Sequence, residues 1–338
     1  MAGSKLCRWS SLPPDIIHLI STKLPDLLDR VRVRAVCKTW RSSVSVSDPS
    51  PRFPWFLSDK VNWDGEILYY SLSSKKTYKI HCQQQRLAYF LGTAGRFIFC
   101  CQNSYPDSVA LLNPLNGLEF SLPAPKDFEV LGVASNPLQE DIVAVFGSEQ
   151  CTYSMWMAFM RPGEEDWEIL SWWTHYKRGV CLYHEGLFYI NDYGVDTLIE
   201  DAMTGELVAH IPSPKSCCLS SQHMLVACGA ILLIFKNNAT DRLEDFGFDI
   251  YQLDEASSNY QWVKIRSIGN QVLFLNYTGG FSVQDSVLPG FKGNCIYFPD
   301  YDSLSNRILC RHDLENGTTE ALPNFWGGRG TWIIPNLD

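Results

Sequence analysis

No C-x-x-C pair occurs in the chain, although it holds 12 cysteines in 338 residues. Zinc fingers and ribbons are built on such close pairs, so a zinc-stapled domain is set aside. Residues 1–9 lack the apolar core of a secretory leader. The thiols, four of them in the adjacent pairs Cys100-Cys101 and Cys217-Cys218, are therefore expected reduced and buried. Long apolar runs are missing too. The longest, residues 229–235, has the length of a strand and falls far short of a membrane span. These absences predict a soluble intracellular chain, nuclear or cytoplasmic, with no membrane partner.

Catalytic signatures are equally scarce. There is no G-x-x-x-x-G-K-S/T phosphate loop, no G-x-S-x-G elbow and no H-E-x-x-H; His184-Glu185 continues as Gly-Leu-Phe. The seven histidines are dispersed. Gly327-Gly328-x-Gly330 stands before a terminal strand and lacks a strand–loop–helix context. Trp172-Trp173 could be a binding platform, but aromatics at strand spacing more often belong to a core. The expectation is a chain with no catalytic residues, no metal and no cofactor.

Charge is sparse and uneven. Only 19% of residues are charged, and the net charge is −9. Residues 1–50 hold eight Lys/Arg and four Asp/Glu, whereas the remainder holds 20 bases and 33 acids. An acidic body argues against nucleic acid as a ligand. A basic segment beside it is compatible with an acidic partner.

That segment, residues 12–42, is the most informative stretch: LPPDIIHLISTKLPDLLDRVRVRAVCKTWRS. Pro13 and Pro14 suit a helix start, and Asp15 complements the dipole there. Ile16, Ile17, Leu19, Ile20 and Leu24 fall on about half the circumference of a helix at roughly 100° per residue. Leu24-Pro25 ends it, because the residue before proline disfavours the α region. Arg30, Arg32 and Arg34 alternate with Val31 and Val33 and read as a basic turn. A later helix gathers Val36, Cys37, Trp40 and Val44 on one face. The apolar residues exceed what so short a unit buries alone, so a partner is expected to complete it.

The stretch from Leu12 to about Val44 resembles the F-box, through the Leu-Pro opening, Asp15-Ile16-Ile17, Leu24, the Arg30–Arg34 turn and Val36-Cys37-Lys38-x-Trp40-Arg41. The resemblance implies docking on the Skp-type adaptor of a cullin-RING ubiquitin ligase. It implies that Leu12, Pro13, Ile16, Ile17, Ile20, Leu24, Val31, Val36, Cys37 and Trp40 form or support the docking face. The other reading is an amphipathic hairpin packed on the rest of the chain.

After the break at Ser47-Asp48-Pro49-Ser50-Pro51, helix signals nearly vanish and short apolar runs alternate with Gly, Asn, Pro and Asp turns. Strand–turn–strand units centre near residues 74, 116, 164, 204, 256 and 316. A period of that size with one sheet per unit predicts a β-propeller of six blades, with seven left open. A two-sheet sandwich is the alternative. Two apolar runs, Phe53-Pro54-Trp55-Phe56-Leu57 and Thr331-Trp332-Ile333-Ile334-Pro335, stand at the ends of this region and are predicted to close the ring together.

The β region also resembles a plant family in which an F-box precedes domain of unknown function 295. The shared features are the kelch-like Asn113-Pro114-x-x-Gly117 turn, Arg161-Pro162-Gly163 with Trp167, Gly186-x-Phe188-Tyr189 and Trp332-Ile333-Ile334-Pro335. The chain is thus expected to be mainly β, with an F-box over residues 1–50 and a propeller over 51–338. The resemblance implies a non-catalytic substrate receptor of an SCF-type ligase that binds an unidentified target protein. The alternative is a propeller that binds a small ligand or acts as an enzyme, with the F-box regulatory.

Overall fold

A computed structural model describes residues 9–24, 27–45, 53–61, 65–81, 89–94, 97–101, 109–124, 128–135, 143–149, 155–161, 164–173, 179–192, 196–214, 221–238, 246–255, 259–276, 279–301, 306–325 and 329–335. The expected linker at 47–51, the side chains of Trp172 and Trp173, and Gly327-Gly328 lie outside what is described.

Three helices come first: α1 (Pro14–Thr22), α2 (Leu27–Val36) and α3 (Lys38–Ser43). Among the described residues all longer elements after them are strands, arranged in six sheets. Each sheet is a blade. Blade 1 joins both ends of the β region, with strand order Gly330–Ile333, Trp55–Val61, Glu66–Ser71, Lys76–His81. Blades 2 to 6 follow over residues 89–122, 128–173, 179–212, 222–265 and 271–321. The sandwich alternative is excluded, and six blades stand.

Alternation builds the cores between blades. Successive side chains of a strand point to opposite faces. In blade 1, Trp55 and Leu57 face blade 2 with Phe90 and Ile98, while Phe56 faces blade 6 with Phe274 and Tyr297. The same division repeats around the ring and makes six inter-blade cores. Aromatics fill the wedge: Trp55 stacks on Tyr69 with centroids 4.3 Å apart, and Trp332 meets Phe56 edge-on at 5.1 Å. Blades 5 and 6 also share the buried ion pair Lys236 Nζ–Asp300 Oδ2 at 2.8 Å.

Each of the six turns read from the sequence joins the two outer strands of one blade. Three share one construction. The Oδ1 atoms of Asn113, Asp201 and Asp313 accept the N–H two residues on, and the glycine four residues on returns its N–H to the same residue's carbonyl. Gly117, Gly205 and Gly317 have φ near +70°, which favours glycine.

Ring closure takes the predicted form. The C-terminal strand is the innermost strand of blade 1, in register Trp55↔Ile333, Phe56↔Trp332, Leu57↔Thr331. Blade 6 is the irregular one, with five strands. Its chain enters at Gln271–Leu275, folds back to the innermost strand Gly280–Gln284, then crosses outward to Cys295–Tyr301, parallel to the first.

Candidate functional site

The helices make a small unit with its own core. Ile17, Trp40 and Val44 are buried together, with Leu12, Val33 and Cys37 packed alongside. Pro13 caps α1, Pro14 starts it and Asp15 lies in its first turn. Cys37 is extended and breaks the chain between α2 and α3. The Trp40 indole donates to the Trp9 carbonyl at 3.2 Å, fixing the N-terminal lead against α3.

Two readings of the sequence are corrected here. Val36, Cys37, Trp40 and Val44 do not share one later helix, because extended Cys37 separates α2 from α3 and leaves Val36 exposed. The Arg30–Arg34 stretch is not a turn but the body of α2. Arg34 donates to the carbonyls of Arg41 at 3.2 Å and of Val44, and buried Arg30 donates to Ser45 at 3.4 Å. Residues i and i+4 share a helix face, so both guanidiniums reach the carbonyls that end α3. Two of the three arginines thus hold the unit together. Arg32 alone points outward and pairs with Asp29.

What the unit leaves uncovered is apolar. Ile16 is 43% exposed and Leu19 is 53% exposed. Pro13, Val36 and Trp9 are exposed as well. Ile16 and Leu19 lie three residues apart on α1 and form one stripe. Leu12, Ile20, Leu24, Val31 and Cys37 are half-buried behind it. Ile17 and Trp40 are turned inward, so their part is support rather than contact. Sequence reasoning placed Leu19 in the stripe without choosing it as a site residue, and it missed Trp9.

On its other side the unit rests on the propeller. Leu27 is buried in the core between blades 1 and 2, and Leu28 and Tyr78 pack against the same cluster. The hairpin reading is therefore half right: α2 packs on the body, while the α1 stripe does not.

The propeller axis offers less chemistry. Its lining includes Gly92, Thr93, Ala134, Cys181, Met224 and Gly280, mostly small or apolar. Burial, aided by Glu200, pushes the Cys181 thiol well above its ordinary range, and it points at Met157 Sδ 3.0 Å away. A thiol held neutral there is a poor nucleophile. Burial and the Lys236 charge lower His223 to about 4. Among the described residues no three His, Cys, Asp or Glu gather as metal ligands. No helix among them is long and apolar enough to cross a membrane.

Comparison with known proteins gives two matches along the chain. The model described as KIB1-4 beta-propeller matches residues 69–319, and the one described as F-box-like matches residues 9–48. Neither description names the domain of unknown function 295 that the sequence motifs resembled. An F-box/kelch-repeat protein of Arabidopsis thaliana is 24% identical, covering 94% of this chain and 91% of its own length. An F-box protein of the same plant is 22% identical over 86% of this chain and 95% of its own. Among solved structures, an oligogalacturonate lyase in complex with manganese overlays at a TM-score of 0.45 with 8% identity, covering 75% of this chain and 69% of that one. So loose a likeness says nothing of chemistry.

Proposed function

The chain belongs to the KIB1-4 beta-propeller family, and from that premise we propose that it is the substrate-recognition subunit of an SCF-type cullin-RING ubiquitin ligase. Residues 1–50 form the adaptor-docking unit and residues 51–338 the target-binding propeller. The observation that carries this reading is the uncovered stripe on α1, in a segment that matches the F-box-like model. Exposed apolar surface of this kind marks a protein partner.

In this reading the Skp-type adaptor covers Pro13, Ile16, Leu19 and Val36, with Leu12, Ile20, Leu24, Val31 and Cys37 at its margin. Ile17 and Trp40 hold the helices in place. Cullin and RING subunits follow through the adaptor. The chain performs no chemistry itself. It raises the effective concentration of target lysines near the charged ubiquitin carrier. Leu27 and Leu28 serve this role by fixing the helices on blade 1, so that the target sits at a defined distance from the adaptor.

The test is reconstitution with a purified Skp-type adaptor. The full chain should form a one-to-one complex, and a double substitution Ile16→Asp with Leu19→Asp should abolish it while the propeller still unfolds cooperatively. Affinity purification of a form lacking the helices, under proteasome inhibition, should then enrich the target.

A further inference from the structure

The outer strand of a propeller blade leaves backbone donors and acceptors unpaired, and charged side chains there discourage added strands. Five of the six outer strands carry such charges: Lys76 and Lys79 in blade 1, Glu119 in blade 2, Glu168 in blade 3, Lys264 in blade 5 and Glu320 in blade 6. Blade 4 does not. Its outer strand reads Leu207-Val208-Ala209-His210-Ile211-Pro212. Leu207 is 58% exposed and Val208 is 45% exposed. A register shift places Val208 opposite no residue of the neighbouring strand, so both consecutive apolar side chains reach solvent. Pro212 ends the run, which limits the edge to a short added strand rather than open-ended sheet growth.

The turn before this strand adds a second observation. Met203 stands 69% exposed at its tip. Arg161 of blade 3 contacts the Met203 sulfur at 2.8 Å and Glu164 Oε1 at 3.2 Å. The Ala202 N–H donates to the Gly186 carbonyl, which brings the exposed Glu185 alongside. Asp201 and Glu206 flank the same tip. Arg161 Nη1 also lies 3.9 Å from Glu168 Oε2, so the carboxylates on this turn and on the segments beside it, Asp201, Glu206, Glu185, Glu164 and Glu168, outnumber Arg161. An apolar edge ending in excess negative charge fits one kind of occupant, an extended segment with apolar side chains and lysines or arginines at one end.

We propose that the outer edge of blade 4, Leu207–Pro212, accepts such a segment of a partner protein as an added antiparallel strand, with the basic end over the Met203 turn. Antiparallel addition puts the C-terminal end of the segment beside Glu206. The proposal rests on the receptor reading only in taking the occupant to be a target.

The probe is a fluorescein-labelled peptide of about ten residues that alternates valine with threonine and ends in two lysines, titrated against the full chain by anisotropy. Saturable binding is expected, weakened about tenfold or more by Val208→Lys and about threefold or more by Glu206→Lys. Leu207→Lys provides a second variant should Val208→Lys lower the melting temperature. Val263→Lys, the same change on the outer strand of blade 5, should leave binding within about twofold. A proline in place of the central valine of the peptide should abolish binding, because it removes a ladder donor. Equal losses in Val208→Lys and Val263→Lys, full binding of the proline peptide, or no binding to the unaltered chain up to about 1 mM overturns the proposal. Adaptor binding is measured on the same samples. Adaptor bound without peptide is a failure of the blade 4 edge alone, and peptide bound without adaptor is a failure of the receptor reading alone.

Discussion

Asn276 grips the backbone of Trp332 at both of its polar groups. The Trp332 N–H donates to Asn276 Oδ1 at 2.5 Å, and Asn276 Nδ2 donates to the Trp332 carbonyl at 3.5 Å. The carboxamide acts as a neighbouring strand would, and both residues are buried. It ties the last strand of the chain to blade 6 while Phe56 ties it to blade 1. Replacing Asn276 by alanine leaves a buried N–H without its acceptor, which costs about 1–3 kcal/mol. In a domain of this size each kcal/mol moves the melting temperature by about 2–4 °C. Asn276→Ala should therefore lower it by several degrees in differential scanning calorimetry, and deletion of residues 330–338, which also removes buried Trp332, by clearly more. Truncation without effect would mean that the C-terminal strand is dispensable.

Gly330 begins that strand, and a side chain there has no room. A Cβ would lie 2.0 Å from the Leu57 carbonyl oxygen and 2.6 Å from Phe56 Cε1. Overpacking of this kind costs about 1–3 kcal/mol. Gly330→Ala should lower the melting temperature, whereas Gly117→Ala, with open space around it but a φ of +73°, should cost only local backbone strain. Urea unfolding of the two variants separates the effects.

Stability should depend on pH through His223. Its folded pKa, about 4, lies below the unfolded value of 6.5 because burial and the Lys236 charge disfavour the imidazolium. The unfolded chain then binds more protons between these values. The contribution of neutral His223 is fully present above pH 6.5 and is lost as the pH drops toward 4. His223→Phe, which stays neutral, should flatten this part of the curve. An unchanged slope in pH-resolved denaturant titrations would remove His223 from the account.

The helical unit should separate supporting from contacting residues. Ile17→Ala empties a fully buried position and should cost the unit about 2–5 kcal/mol. It should lose adaptor binding together with helix content in circular dichroism. Leu12→Ala with Pro13→Ala should weaken binding with the β-domain melting temperature unchanged. Equal loss of both properties in the double variant would contradict a separate docking face.

The ring was legible because its repeating part is local. Asn113-x-x-x-Gly117, Asp201-x-x-x-Gly205 and Asp313-x-x-x-Gly317 build their turns from their own atoms, so the sequence alone marks them. The closing strand was legible as an apolar run matching the one at residues 53–57. Blade 6 was not, since alternation says that Gly280–Gln284 is a strand without saying which neighbour it takes. In the helical unit, alternation of Arg30, Arg32 and Arg34 with valines suggested a turn. The i to i+4 relation of Arg30 and Arg34, both reaching the end of α3, was the stronger signal. Trp9 carried no pattern at all, because its role depends on a Trp40 that lies 31 residues away.

Calorimetric titration of a purified Skp-type adaptor into the full chain tests the central claim most directly. The account predicts a one-to-one complex that Ile16→Asp with Leu19→Asp weakens by about 2 kcal/mol or more, a loss expected of central contact residues, with the propeller melting temperature unchanged. No complex with the unaltered chain, or equal affinity for the double variant, would contradict it.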